Sequence, residues 1–402
     1  MDKELLALLN QEIGKTKLSI SQLSEILGID RSIFNKFING QRVPNIEDIV
    51  KILHYFFPNH LDSYELLKRL IPSFKSLQSF KVMLEFATLQ RDNETILNVA
   101  EMLRMTSSTK HKEWADFFIL WLDYRLGRID NDTYLHSLLT TTLQSDELKA
   151  IRNIRLMHYY YTTLSRFDLA GQYGVKAKED LDALPDSLIK NSYLSKYYLY
   201  RGHITLLSNY ELIDTCIDDF KKSMEYAVSP LVIAINLYNL GVTFQYHDHQ
   251  KAIEYFRQAE SIFRKCSTYD ASLVYIADFI LDPMIPRSRL IGNDLDGIRE
   301  VDLKHTQVKV LYHIKTNNIA KAKEILDNLK EDEFNDEILL MCLGTIEKSI
   351  PILMKSLLKC IELNQINEAY LAIKELMALG FDPSMVDLIL RVRENYPHPV
   401  YT

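Results

Sequence analysis

The side chains with the clearest potential for chemistry lie on one face of a short helix near the N-terminus. Between Asp30 and Gly40 the apolar residues recur at helical spacing on one side, and Arg, Ser, Asn and Lys occupy the other side. That polar face carries no carboxylate. Because these four side-chain types pair with base edges and phosphates, the pattern predicts a surface that reads nucleic acid.

Two flanking segments would hold this helix in place. Residues 20–29 form an amphipathic helix, Gly28 supplies the permissive backbone for a tight exit, and Asp30 can cap the second helix. A third core-facing helix begins after Pro44. The pattern resembles the phage-repressor helix-turn-helix, whose second helix enters the major groove. We predict DNA contacts from Gln22, Arg31, Ser32, Asn35, Lys36, Asn39 and Arg42.

The alternative is a purely structural three-helix unit, and the charge distribution argues against it. Residues 15–42 carry five cations against two carboxylates, a local excess of three, in a chain whose net charge is −7. Phosphate neutralisation needs cations on one face and not a basic protein overall. The charged residues of this segment are Lys15, Lys17, Arg31, Lys36 and Arg42, with Glu25 and Asp30.

Composition predicts an almost entirely helical, all-α protein. The chain has 402 residues, of which 47% are hydrophobic and only 12 are Gly and 11 are Pro. No signal peptide and no apolar run long enough for a membrane span occurs, so we expect a cytoplasmic protein with no membrane partner. No pair of cysteines has Cys-x-x-Cys spacing, and all four lie in apolar helical segments, so we expect reduced thiols in the core. They are Cys216, Cys266, Cys342 and Cys360.

Motifs for catalysis or cofactor binding are missing from the sequence. It contains no Gly-rich phosphate loop, no His-Glu-x-x-His and no Gly-x-Ser-x-Gly. The run His247-Asp248-His249 would need a further ligand to hold a metal ion, and the sequence identifies none. We therefore expect no enzymatic activity, no cofactor and no metal site.

A weak internal repeat fills the chain after residue 60. Around Leu240-Gly241, small and large residues alternate as a tetratricopeptide repeat requires, with Phe256 filling the gap beside the glycine. Looser copies predict stacked helical pairs, with an irregular interval at 267–304 as a candidate hinge or loop. The copies centre on Ala170, Gly174 and Ala177; on Cys216, Phe220 and Ser223; on Ala252, Phe256 and Ala259; on Ala322, Leu326 and Leu329; and on Ala369, Ile373 and Leu376.

These patterns predict three segments with different roles. Residues 1–57 would form the helix-turn-helix domain, and 58–384 a tetratricopeptide-like solenoid that senses a peptide. Residues 385–402 would form a terminal helix and tail, and their apolar stripe predicts a homodimer contact. That stripe consists of Met385, Leu388, Ile389 and Val392. A two-fold dimer would place two heads on two related DNA half-sites.

The concave side of a solenoid suits an extended peptide, whose backbone needs polar partners along a line. Two glycines, Gly202 and Gly241, set the helical phase of the candidate groove, and an ordinary solvated face is the alternative for each residue. The side chains predicted to face a peptide are Lys196, Tyr200, His203, Tyr238, Asn239, Val242, Gln245 and Tyr246.

A DNA-reading head joined to such a groove resembles the RRNPP family of peptide-sensing transcription regulators, and within it the arbitrium receptors of Bacillus phages. The resemblance covers nearly the whole chain. The segments that carry it are Ile49–Pro58, Lys112–Trp114, Leu240-Gly241 with Lys251-Ala252, Lys321–Leu329, and Leu379-Gly380 before the apolar Leu388, Ile389 and Leu390.

This resemblance implies a dimer that binds a phage promoter and controls the lysis–lysogeny decision, with a peptide of about six residues releasing it from DNA. It adds Gln365 to the expected peptide contacts. In those receptors Asn and Arg clamp the peptide, and Asn239 fits, whereas the matching Leu231 and Val242 are apolar. This departure would imply a cognate peptide of different sequence or a different binding pose of the peptide. Related solenoids with a degenerate head bind a response regulator as phosphatases or sequestrants, and the intact Gly28 turn favours DNA here.

Overall fold

The structure is a computed structural model that describes residues 2–208, 212–266, 272–330, 336–363, 366–382, 384–385 and 389. Within these residues the chain is helical and contains no strand, so the all-α prediction is confirmed. The N-terminal head, as we call residues 2–57, contains the helices α1 (Lys3–Thr16), α2 (Ile20–Leu27), α3 (Arg31–Ile38) and α4 (Ile46–Phe56).

Local caps explain the boundaries of the helix-turn-helix. Ser19 and Gln22 form a capping box at the start of α2, with each backbone amide bonded to the other residue's side chain. Gly28 ends α2 with φ at 64°, a left-handed conformation in which a side chain would be strained. Asp30 then caps α3 by accepting from the amides of Ser32 and Ile33 at 2.9 and 3.1 Å.

The remaining helices stack in pairs and form the predicted solenoid. Its first part comprises α5 (His60–Lys68), α6 (Leu77–Leu89), α7 (Asn93–Arg104), α8 (Thr109–Arg125), α9 (Asn131–Thr140), α10 (Asp146–Thr162), α11 (Phe167–Ala183), α12 (Leu188–Ser208) and α13 (Ile213–Glu225). Its second part comprises α14 (Pro230–Phe244), α15 (His249–Cys266), α16 (Ser272–Phe279), α17 (Ile285–Ile291), α18 (Thr306–Lys315), α19 (Ile319–Asp327), α20 (Glu337–Glu347), α21 (Ile350–Glu362) and α22 (Ile366–Ala378).

Two glycines allow the helices of a pair to approach, as the repeat pattern predicts. A Cβ atom at Gly241 would lie 2.6 Å from the ring of Phe256, and one at Gly202 would lie 2.7 Å from the ring of Phe220. Both rings are fully buried. In both helix pairs, α12/α13 and α14/α15, a glycine on one helix therefore packs directly against a phenylalanine ring on the other.

The interval 267–304 differs from the expected loop. Its described part is mostly helical, with α16 and α17 joined by a π-helical turn at Ile280–Met284 that contains Pro283. A proline removes one amide donor, and a π turn accommodates that loss without ending the helix. Among the described residues of this interval, irregular backbone lies in the segment after Gly292, which includes a 3-10 turn at Glu300–Asp302.

The head is packed onto the start of the solenoid. One continuous apolar core runs from Leu5 in the head through the first solenoid helices to Val232. An ion pair links the same two parts, because Arg69 after α5 donates from Nε and Nη2 to the two carboxylate oxygens of Asp2, at 2.7 and 2.9 Å. The four cysteines are buried, as expected.

Candidate functional site

The predicted DNA-contacting side chains all lie on the surface of the head. All seven are exposed, whereas the apolar face of α3, including Phe34 and Phe37, is fully buried. The exposed residues are Gln22, Arg31, Ser32, Asn35, Lys36, Asn39 and Arg42. The helix-turn-helix therefore presents a carboxylate-free polar face from α3 to solvent.

Hydrogen bonds orient part of this face. Asn39 donates from Nδ2 to the backbone and side-chain oxygens of Asn35, at 2.8 and 3.2 Å. Asn10 of α1 donates to the carbonyl oxygen of Ile38 at 3.0 Å and so fixes the end of α3. The Oε1 atom of Gln22 accepts from the Ser19 amide, so this side chain caps α2 as well as facing solvent.

A groove of about 500 Å³ lies in the first half of the solenoid. Its walls come chiefly from α8, α10, α12 and α14, the first helices of successive pairs, as the solenoid argument predicts. Its aromatic lining residues are Trp121, Tyr124, Tyr134, Tyr159, Tyr193 and Tyr200. Its cationic lining residues are Arg91, Arg125, Arg155 and Lys196.

The predicted peptide contacts within the described residues lie on α12, on α14 and in the turn directly after α14. Tyr200 lines the groove, and so does Leu231 at the start of α14. His203 lies one turn beyond Tyr200, with its Nδ1 3.4 Å from the Tyr161 hydroxyl. Burial lowers the pKa of His203, and the Asn239 amide partly opposes the shift.

Two of the predicted side chains, Asn239 on α14 and Gln245 directly after it, are buried amides with unfilled hydrogen-bonding capacity. Asn239 is 4% exposed and its Nδ2 has no partner among the described residues. Gln245 is 1% exposed and neither of its amide atoms has one. Because buried polar groups are nearly always hydrogen-bonded, these two side chains are places where a ligand could add bonds.

The other predicted residues on α14 and in the turn after it take part in internal packing. Tyr238 contacts Phe256, with ring centroids 5.8 Å apart, and Val242 packs against the apolar core. The Tyr246 hydroxyl donates to Glu368 at 2.5 Å and accepts from Arg287 at 2.7 Å. Arg287 and Glu368 also form an ion pair, which ties α17 to α22.

Gln365, Leu388 and Val392 lie outside the described residues. Of the predicted dimer stripe, Met385 is 47% exposed and Ile389 packs against the apolar cluster of the last helices. The dimer contact therefore stays a prediction.

The sequence reasoning did not single out the groove walls on α8 and α10. Trp121 and Arg125 are four residues apart on α8, and Arg155 and Tyr159 repeat this spacing on α10. Cations four residues from aromatics on successive helices would have been the available signal. Lys196 extends the same wall on α12, where it forms an ion pair of 2.6 Å with Glu85.

Direct contacts join the head and the adjoining helix α5 to the helices of this groove. Glu47 on α4 accepts from the backbone amide of Leu188, the first residue of α12, at 3.5 Å. His60, at the start of α5, donates from Nε2 to the carbonyl oxygen of Val228, just before α14, at 3.3 Å. Glu47 of the head and His60 of the adjoining helix α5 thus contact the N-terminal ends of two groove helices.

Comparisons with known proteins relate this chain to one family and to two solved structures. A family model for AimR transcriptional regulator-like proteins matches residues 63–378. The solved structure of selenomethionine phAimR is similar, with a TM-score of 0.77 and 18% identity over 96% of this chain and 100% of that chain. A structure of phAimR with ligand is similar with a TM-score of 0.62 and 17% identity, over 84% of this chain and 98% of that chain.

A search of curated protein sequences gave no significant match. At these identities the two solved structures support the fold, and the family match rests on the sequence of the solenoid. In the described part of the chain, no helix combines the length and the apolar character that crossing a membrane requires.

Proposed function

This chain belongs to the AimR transcriptional regulator-like family, and we propose that it is a peptide-responsive, DNA-binding regulator of a phage lysis–lysogeny decision. It would act in the cytoplasm of a bacterial host as a homodimer on promoter DNA. A short signalling peptide of about six residues would bind in the groove and release the protein from DNA. The solved structure of phAimR with ligand supports a ligand-binding role for this fold.

The observation that carries the proposal is the exposed recognition face of α3. Arg31 lies in the first turn of α3, and Asn35 lies one turn later on the same exposed, carboxylate-free side. The first turns of a recognition helix are the part that reaches the floor of the major groove. A head with this face is suited to DNA, and a head that docks only on proteins would not need it.

The contacts that the head and the adjoining helix α5 make with the groove helices supply a route by which a peptide could change DNA binding. Glu47 and His60 both bond to backbone atoms where a groove helix begins, at Leu188 and Val228. A ligand that moves α12 or α14 would shift these anchors and the head with them. It can favour release only if it binds the DNA-incompetent arrangement more tightly, and DNA must then weaken the ligand equally.

A dimer would be formed through the terminal apolar stripe, which includes Met385 and Ile389. A two-fold pairing would fix the separation of two heads. The operator is then expected to contain two related half-sites in inverted order.

The test is selection of the full-length protein against a pool of random 40-base-pair duplexes, followed by salt titration of the selected sequence. We expect enrichment of an inverted repeat and an affinity that falls steeply with salt, as counterion release demands. The matched control is the double variant Arg31→Ala with Asn35→Ala, which should enrich no sequence. If the wild-type protein enriched none either, a solenoid that binds a response regulator would become the better proposal.

A further inference from the structure

A buried guanidinium lies in the wall of the groove. Arg155 on α10 is 9% exposed, and its Cζ is 4.3 and 5.0 Å from the ring centroids of Phe117 and Phe118. Its Nη1 donates to the carbonyl oxygen of Phe117 at 3.1 Å. No described residue forms an ion pair with Arg155. Since arginine does not lose its proton in proteins, a positive charge is held here largely away from water.

The charges around Arg155 do not neutralise it. The nearby Lys196 is already paired with the buried Glu85. The groove-lining residues of the described chain include no Asp and no Glu. Burial raises the pKa of Tyr193 and Tyr200, the Glu85 carboxylate adds to the rise, and the charge of Arg155 opposes it, so Arg155 acts on the groove itself. In a protein of net charge −7, the charged side chains that line this groove are all cationic.

Aromatic rings compensate a buried guanidinium only in part, and a carboxylate is its strongest partner because two parallel N–H···O bonds can form. We propose that Arg155 binds a carboxylate of the signalling peptide. The apolar lining beside it, which includes Leu199, Leu231 and Ile235, would take neighbouring aliphatic side chains. This assignment rests on the proposed function, because it names the chemical group of the peptide that the groove selects.

The carboxylate could be the C-terminus of the peptide or an Asp or Glu side chain, and one experiment separates these sources. The probe is an equimolar mixture of two randomised hexapeptide libraries of equal composition, one with free C-terminal carboxylates and one amidated. Full-length protein captures peptides from the mixture, and mass spectrometry reads the captured set.

For wild-type protein we expect the free-acid peptides to exceed the amidated ones by roughly 10- to 100-fold, the range of a charge-assisted hydrogen bond. If a side chain supplies the carboxylate, both libraries would be captured and the peptides would be enriched in Asp and Glu. Either result supports the assignment. Capture with neither preference would overturn it while leaving the proposed peptide binding intact, and capture of no peptide would overturn both.

Three variants connect the preference to Arg155. Arg155→Gln should remove the carboxylate preference, and Arg155→Lys should retain part of it, because the charge stays and the paired bonds do not. Arg152→Gln is the matched control, since Arg152 lies on the same helix outside the groove lining and bonds to the carbonyl oxygen of Thr141. Circular dichroism shows whether each variant folds, and a folded Arg155→Gln protein with an unchanged preference would overturn the assignment.

Discussion

The Nε2 atom of His60 lies 3.3 Å from the carbonyl oxygen of Val228, although 168 positions separate the two residues in the chain. A carbonyl oxygen only accepts, so Nε2 carries the proton and Nδ1 accepts from the Gln90 amide at 3.1 Å. The neutral ring is therefore fully hydrogen-bonded, and it lies beside the ring of His54 on α4, with centroids 5.3 Å apart, where the head meets the solenoid. A proton added at Nδ1 would break the bond to Gln90.

Acid should destabilise the contact between α4 and α5, where His54 and His60 lie side by side. Burial lowers the pKa of His54 to about 4, with the charge of the neighbouring His60 adding to the shift, and burial also lowers the pKa of His60. Because the folded state resists protonation, its stability is fully present above about pH 6.5 and is lost as the pH falls toward 4. Between pH 7 and 5, we expect the free energy of unfolding of the His54→Gln variant to fall by about 1–2 kcal/mol less than that of the wild-type protein, as measured by urea unfolding.

The control for this pH effect is His136→Gln, a change at an exposed histidine on α9. It should follow the wild-type curve. Parallel curves for His54→Gln and wild type would show that the contact between α4 and α5 does not titrate.

The buried ion pair between Arg287 and Glu368 should stabilise the packing of α17 against α22. The two side chains are 8% and 13% exposed, so Glu368→Gln leaves a buried guanidinium without its counter-charge. We expect a loss of about 3–5 kcal/mol in the free energy of unfolding, measured by chemical denaturation. The matched control is Glu362→Gln, at an exposed pair with Lys359, which should cost at most about 1 kcal/mol. Equal effects of the two changes would mean that the buried pair is not stabilising.

Adding one methyl group should distinguish the packed glycines from an open one. Gly241→Ala places a Cβ 2.6 Å from the Phe256 ring and should destabilise by about 1–3 kcal/mol despite its gain in helix propensity. Gly171→Ala, on α11 with nothing within 4 Å, should instead stabilise by about 0.5–1 kcal/mol. Thermal unfolding of both variants measures the difference, and a stabilised Gly241→Ala protein would contradict the close approach of α14 and α15.

A substitution on the exposed face of α3 should show whether Asn35 contacts base edges or the phosphate backbone. Asn35→Ala should weaken binding to the selected operator by about 1–3 kcal/mol and leave binding to random DNA almost unchanged. Fluorescence anisotropy with both duplexes measures this, and Arg128→Ala at an exposed site beyond α8 is the control. An equal loss on both duplexes would assign Asn35 to the phosphate backbone.

The terminal stripe should hold the dimer. We expect the double change Leu388→Asp with Ile389→Asp to give a monomer at micromolar concentration, because two carboxylates would be placed in an apolar contact. Sedimentation velocity reads the mass, and Glu362→Gln serves again as the control. A dimer mass in the double variant would place the interface elsewhere.

The sequence alone determined the features that depend on residues close together in the chain. The helix-turn-helix followed from Gly28 and the cap at Asp30, because a turn and the helices beside it are set by a few neighbouring residues. The approach of Gly241 to Phe256 also followed, since a helical hairpin brings together residues about fifteen positions apart. Helical periodicity then identified the exposed face of α3.

Only the tertiary structure decided which helix faces meet across several repeats. It placed Arg155 in the groove wall, brought Glu368 to Arg287, and joined His60 to Val228. Each of these depends on the superhelical rotation that accumulates from pair to pair. Small differences in packing angle at every interface add up along a solenoid, and no local pattern of residue types encodes their sum.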